Sequence, residues 1–318
     1  MITTRSLSQT FRTRRGREMV DVEAVRGVDL HVAEGEIVSF LGPNGAGKTT
    51  TLRMLTTLLR PTAGTATVAG HDVLTEAVAV RRSIGYVSQS GSTSSVARAG
   101  EEVIDHGMLY GISRAQAEQR GRELFDQLAL DGLWDRQPKS MSGGQRRRLD
   151  IAMGLIHDPR LIFLDEPTTG LDPQARVNLW QHIADLRDRL GATIFLTTHY
   201  LDEADALSDR VIVIDNGRII ADDTPERLKQ QVSGDLVDLE LADVVQVPLA
   251  AKHLEVHGQV DTDGRHVRTR LPHAGAVVPA LLRDLEAEGI TLSHLEIRRP
   301  TLDDVFLTLT GRSLREAA

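Results

Sequence analysis

Residues 37–41 are apolar throughout and stop at Gly42-Pro43-Asn44-Gly45, the pattern of a strand buried on both faces and closed by turn residues. From Lys48 the period changes, and Leu52, Leu55, Leu58 and Leu59 fall on one side of a helix that stops before Pro61. The segment reads strand, glycine loop, helix. Residues 64–69 and 84–88 read as further strands, and 161–164, 194–197 and 211–214 as buried ones. Residues 101–133 are mainly helical, with Leu124, Phe125 and Leu128 covering one side. Uninterrupted apolar strands alternating with helices predict an α/β core whose sheet is covered on both faces.

After about Pro225 the pattern alternates instead. Residues 236–241, 256–260, 266–271 and 292–297 read as strands, the middle pair flanking a turn at Asp263-Gly264. Residues 243–253 and 274–288 read as helices, which gives β-α-β-β-α-β, a ferredoxin-like order. The expected organisation is a large α/β domain over residues 1–225, with a helical subdomain at about 90–140, and a small α+β domain over 226–318.

Composition narrows the function classes. A charged fraction of 26% and a hydrophobic fraction of 41% are those of a folded globular chain. The net charge of −8 argues against a general nucleic-acid binder, so no nucleic acid is expected as a partner. Cys is absent, which excludes disulfides and thiolate metal sites. No stretch is long and apolar enough to span a bilayer. The first residues are rich in Arg and Ser but lack the apolar core of a secretory signal, and they read as a first strand.

The stretch Gly42-Pro43-Asn44-Gly45-Ala46-Gly47-Lys48-Thr49, followed by Thr50, satisfies the phosphate-loop pattern in its required context. Glycines let successive N–H groups curl toward phosphate oxygens, and the helix that follows adds the positive end of its dipole. Lys48 suits the β- and γ-phosphates of a nucleoside triphosphate, and Thr49 offers a hydroxyl to Mg²⁺. The apolar strand at 161–164 ends in Asp165-Glu166. Asp165 suits Mg²⁺, and Glu166 then stands to orient and polarise an attacking water.

Met141-Ser142-Gly143-Gly144-Gln145 precedes a helix expected to start near Arg146, and the Ser142 hydroxyl with the glycine amides makes a second anion site. A second site is redundant within one active centre and useful if it faces the γ-phosphate held by another copy. The adjacent Arg146, Arg147 and Arg148 read as a solvated helix face, since no aromatics interleave with them.

This stretch, between a phosphate loop and a strand ending in Asp-Glu, resembles the signature of ABC transporter ATP-binding subunits, with Met141 where Leu is usual. The resemblance covers about residues 1–225 and implies further roles. Gln89 corresponds to the glutamine that senses Mg²⁺ and the attacking water. Asp172, in Gly170-Leu171-Asp172, lies on the loop along the dimer seam, and His199 is the switch histidine at the γ-phosphate. Phe11 falls where the family stacks an aromatic on adenine, although residues 12–23 are longer than the usual connection.

The tail, Arg299-Pro300-Thr301-Leu302-Asp303-Asp304-Val305-Phe306, is similar to the end of daunorubicin-resistance ATP-binding proteins, exporter subunits that pair with a separate membrane protein. The resemblance implies an ATPase that uses ATP and Mg²⁺ at the cytoplasmic face of the membrane to export drugs, antibiotics or lipid-like compounds. It would act as a nucleotide-sandwich homodimer on a separate polytopic subunit. A soluble ABC ATPase acting on ribosomes or DNA is the alternative. One departure stands out: Ala99-Gly100-Glu101-Glu102-Val103 replaces a Gly/Ala-Arg-Glu-Asn-Leu stretch near the surface that meets the membrane subunit.

Overall fold

The computed structural model describes residues 1–311 apart from Arg17, Ser95 and Ser233. Residues 312–318 of the expected small domain lie outside that description. The chain forms two compact units that divide after Pro225.

The first unit runs β1 (Ile2–Arg15), β2 (Glu18–Val32), β3 (Ile37–Leu41), α1 (Lys48–Leu55), β4 (Ala63–Val68), β5 (His71–Asp72), α2 (Ala77–Ser83), β6 (Ile84–Val87), α3 (Ala99–Leu109) and α4 (Arg114–Gln127). It continues through α5 (Gly143–Leu155), β7 (Leu161–Asp165), α6 (Pro173–Leu190), β8 (Thr193–Thr198), α7 (Leu201–Leu207), β9 (Arg210–Asp215) and β10 (Arg218–Asp223). After α8 (Pro225–Gln230) come β11 (Asp235–Leu241), α9 (Val247–Glu255), β12 (Val260–Asp263), β13 (His266–Leu271), α10 (Ala274–Ala287), β14 (Leu292–Arg298) and α11 (Leu302–Thr310).

The central sheet has the order β10-β9-β3-β8-β7-β6, parallel from β9 to β6 with β10 antiparallel at its edge. β3, β7 and β8 are buried along their whole length, as continuous apolar strands covered on both faces must be. On one face Phe195 packs 5.6 Å from both Phe40 and Phe163, above α1 and the antiparallel sheet β2-β1-β4-β5. On the other, Leu124, Phe125, Leu149 and Ile183 bring α4, α5 and α6 against the sheet. Parallel strands deliver their carboxyl ends to one edge, so the loops after β3, β7 and β8 share one side of the sheet.

Several boundaries differ from the sequence reading for local reasons. α1 ends at Leu55 because Thr57 enters the left-handed region (φ +63) and the amides of Leu58 and Leu59 both turn back to the Arg53 carbonyl. Leu58 is consequently exposed. The long helical stretch breaks at Gly111, and Ser113 starts α4 by accepting a hydrogen bond from the Gln116 amide. α5 starts at Gly143 rather than near Arg146, because Ser142 and Gln145 form a reciprocal capping box. β12 starts only at Val260, since Val256 still caps α9 and is solvent-exposed.

The departure at 99–103 also has a packing account. A Cβ on Gly100 would stand 2.2 Å from the Trp134 ring, so only glycine lets α3 seat against that indole.

In the second unit the order β12-β13-β11-β14, antiparallel throughout, is the ferredoxin-like arrangement. Its core is formed by Val237, Leu239, Leu254, Val267, Leu281 and Leu285. Asp238 accepts from His266 Nδ1 and Arg268 Nε, which hold its carboxyl below the usual range although burial pushes the other way.

His157, between α5 and β7, donates its Nε2–H to the Ile84 carbonyl at 2.9 Å and stacks on Tyr110 at 3.7 Å. Burial pushes its pKa down to about 4, so the fold favours the neutral ring. The unfolded chain binds more protons between the ordinary value near 6.5 and that folded value, so the stabilisation is complete above about pH 6.5. It is lost as pH falls toward about 4. Solvent screening reduces the effect to on the order of 1–2 kcal/mol. Denaturant unfolding followed between those pH values should show a shallower acid loss for His157→Phe than for the wild type; identical slopes would contradict the assignment.

Candidate active site

β3 ends at Leu41, and the loop from Gly42 to Gly47 turns the chain into α1. Two of its glycines are sterically required. A Cβ on Gly42 would stand 2.2 Å from the Ile214 carbonyl oxygen, and one on Gly47, at φ +107, would stand 2.6 Å from that of Ala24. Pro43, Ala46 and Gly47 are buried, Asn44 and Gly45 exposed, and Thr50 lies half-buried in the first turn of α1. Lys48 is buried; its Nζ donates to the carbonyls of Gly42 (2.7 Å) and Pro43 (3.1 Å) and stands 3.6 Å from Glu166 Oε1. Burial lowers the Lys48 pKa against the pull of the Glu166 carboxylate.

The acids come from the end of β7. Thr49 Oγ1 donates to Asp165 Oδ1 at 3.3 Å, and Thr197 Oγ1 donates to the same oxygen at 2.7 Å. A hydroxyl and a carboxylate oxygen therefore meet where the loop becomes helix, a hard-oxygen pair that fits Mg²⁺. Among the described residues no three His, Cys, Asp or Glu form a protein-only metal cage, and Mg²⁺ commonly takes its remaining ligands from phosphate and water.

Glu166 has φ +44, a strained backbone for a residue with a Cβ, and its amide is held by both the carbonyl and the hydroxyl of Thr197. Its Oε2 accepts from Gln89 Nε2 at 2.8 Å and from Thr169 Oγ1 at 3.1 Å, with His199 Nδ1 at 3.4 Å. The His199 ring first, and the Lys48 charge as well, hold the Glu166 carboxyl below the usual range, with burial opposing them. The structure thus gathers Lys48, Thr49, Gln89, Asp165, Glu166 and His199, drawn from far apart in sequence, at one sheet edge.

The remaining candidates stand elsewhere. Ser142 caps α5, and its Gly143 and Gly144 pack against Leu171 and Ala175. Asp172 caps α6 by accepting from the Ala175 amide. Among the described residues no hydrogen bond or ion pair joins residues 142–145 to Lys48, Thr49, Asp165 or Glu166. Phe11 lies on β1, partly exposed and paired with Val22, two residues before the Ala24 carbonyl that crowds Gly47.

The reading of Arg146–148 as a solvated face is wrong at its centre. Arg147 is 6% exposed, and its guanidinium reaches the carbonyls of Ser88, Asp165 and Pro167. Thr169 and Thr197 went unnoticed in the sequence, as did Glu203, which is fully buried and accepts from Trp180 Nε1. Periodicity held a signal for Arg147, which shares a helix face with the buried Ile151 four residues on.

Comparison with known proteins defines the class. The family profile described as ABC transporter matches residues 25–169, and the solved ATP-binding cassette captured as a dimer with ADP and Pi superposes with a TM-score of 0.63 at 27% identity, covering 70% of this chain and 98% of that one. A second profile, described as ATP-binding protein DrrA1-3-like, C-terminal domain, matches residues 224–310. The chain is 42% identical to a daunorubicin resistance ATP-binding protein of Streptomyces coeruleorubidus, over 94% of this chain and 95% of that one. It is 36% identical to a Nod factor export ATP-binding protein of Burkholderia lata, over 93% and 95%. The chain belongs to the family of ABC transporter ATP-binding subunits. Within it, the chain falls among those with the daunorubicin-resistance type of C-terminal domain.

Thr197→Val keeps the shape of the side chain but removes the hydroxyl that serves Asp165 and Glu166. Leaving those buried groups short of a partner should cost about 1–3 kcal/mol, read as a lower thermal midpoint and weaker Mg²⁺-ATP binding. An unchanged midpoint and affinity would show that the two β7 acids are held by other means.

Proposed function

We propose that two copies of this chain close around two ATP molecules and drive a separate polytopic membrane subunit that exports a drug, an antibiotic or a lipid-like compound. The chain itself is an ATPase of the ABC family, and its hydrolysis is coupled to transport. One observation carries the shared-site reading. The Lys48–Glu166 cluster is assembled within one copy, whereas the anion site at Ser142 has no bond to it. A helix N-terminus that favours anions, and whose first residues make no bond to that cluster, is of use to the nucleotide of the other copy.

In each site the amides of Asn44, Gly45, Gly47, Lys48 and Thr49 and the Lys48 ammonium receive the β- and γ-phosphates. Thr49, Asp165 and Gln89 would hold Mg²⁺, which when bound would supply charge neutralisation to the phosphate oxygens. Glu166 receives and orients the attacking water. A carboxyl held below its usual range is a weak base, so this role is chiefly positioning and electrostatic. Gln89 and His199, which already touch Glu166, fix its carboxylate, and His199 meets the γ-phosphate. From the other copy, Ser142, Gly143, Gly144 and Gln145 close over that phosphate while Asp172 lines the seam. Phe11 stacks on adenine.

Among the described residues no helix is long and apolar enough to cross a membrane, so transport requires a partner that does, with this chain peripheral at the cytoplasmic face. Export follows from the relatives, whose names speak of daunorubicin resistance, linearmycin resistance and Nod factor export and say nothing of ribosomes or DNA. Drugs, antibiotics and lipid-like compounds are the corresponding cargo classes.

Glu166→Gln should bind ATP with near-normal affinity and hydrolyse it roughly 10²–10⁴-fold more slowly, with ATP trapping the homodimer in gel filtration. Wild-type turnover in that variant would remove Glu166 from its role.

A further inference from the structure

Arg147 lies just inside α5, one turn from Ser142, and ties three segments to that helix. Its Nη1 donates to the Ser88 carbonyl at 2.5 Å, Nη2 to that of Asp165 at 2.9 Å and Nε to that of Pro167 at 2.8 Å. Each acceptor adjoins a residue of the active site: Ser88 precedes Gln89, and Asp165 and Pro167 flank Glu166. Three residues further along the helix, Asp150 Oδ1 accepts from the Ser92 amide at 2.9 Å. The loop carrying Gln89 is therefore pinned to α5 at both ends. Gly91 leaves room for this second tie, since a Cβ there would stand 2.8 Å from Asp150 Oδ2.

A guanidinium suits the task because its planar fork holds several carbonyls at once in a fixed geometry. An aliphatic side chain would satisfy none of them, and an ammonium would not span all three. Burying that charge is costly, and it is offset by the carbonyls and by nearby Asp150, Asp165 and Glu203.

We propose that Arg147 is a positioning residue that transmits the state of the Ser142 helix end to the Gln89–Glu166 pair. An anion seated at Ser142 shifts α5, and the shift moves the Ser88, Asp165 and Pro167 carbonyls as one body. The Gln89 Nε2 to Glu166 Oε2 contact, 2.8 Å long, is set by that movement. The nucleotide held by one copy is thereby sensed at the water-orienting carboxylate of the other. This coupling rests on the roles proposed above for Ser142, Gln89 and Glu166.

Steady-state ATPase rates, normalised to folded protein, test it in the full-length wild type, Arg147→Lys, Asp150→Ala, Gln89→Ala and the double variant Arg147→Lys/Gln89→Ala, with Glu166→Gln as control. Arg147→Lys should lower kcat roughly 10- to 100-fold. Its KM for ATP should stay within about threefold of the wild type. The double variant should be no slower than Gln89→Ala alone, because Arg147 acts through Gln89. Multiplying losses, unchanged kcat or a rise in KM alone would each overturn the proposal. If Arg147→Lys does not fold, Asp150→Ala decides, since it removes the far tie and one carboxylate near Arg147 but leaves the three carbonyl contacts in place; its smaller loss of kcat should likewise vanish in a Gln89→Ala background. Undiminished turnover in Glu166→Gln would instead overturn the underlying site reading.

Discussion

The carboxylate of Glu166 is the point on which the site depends. It receives Gln89, Thr169, His199 and Lys48 from four separate segments, and it does so from a backbone in the left-handed region. That backbone would be costly for an acid with a Cβ, and it persists because neighbouring strands over-determine it. β7 pairs with β8 in a parallel register that sets Asp165 beside Thr197, so one threonine supports both acids. The sheet register thus fixes the chemistry of two adjacent carboxylates. Asp165 turns to Thr49 and the loop, Glu166 to Gln89, Thr169 and His199.

Arg147 and Asp150 beneath the site are tolerated because they are paired. Arg147 satisfies three carbonyls, and Asp150 serves the amide of Ser92. Glu203 is fully buried beside Trp180, and its burial raises the carboxyl's pKa. Such a layer rigidifies the packing, since each hydrogen bond specifies direction as well as distance. It joins the helix beginning at Ser142 to the strand end that carries the acids.

Legibility in the sequence followed contiguity. The phosphate loop could be read because consecutive amides must face one phosphate, which constrains a continuous run from Gly42 to Thr49. The Asp165-Glu166 pair could be read because an apolar strand ended in two acids. The α/β core covered on both faces and the β-α-β-β-α-β order of the tail are legible from periods of strand and helix. Arg147 was lost because its acceptors are carbonyls, which carry no sequence mark, and because two further arginines beside it mimic a solvated run. Thr197 and Thr169 act on residues distant or unremarkable in sequence. The start of α5 is not legible from its glycines, which read as turn residues, whereas the Ser142–Gln145 capping box carries the helix back to Gly143.

The central claim is that each active centre is completed by the Ser142 end of a second copy. It is tested most directly by mixing two variants that are each inactive alone, Lys48→Ala and Ser142→Arg, and measuring ATP hydrolysis of the mixture. A mixed pair contains one centre with an intact loop and an intact Ser142 end. The account predicts turnover well above the sum of the two separate proteins; a mixture that only equals that sum would contradict it.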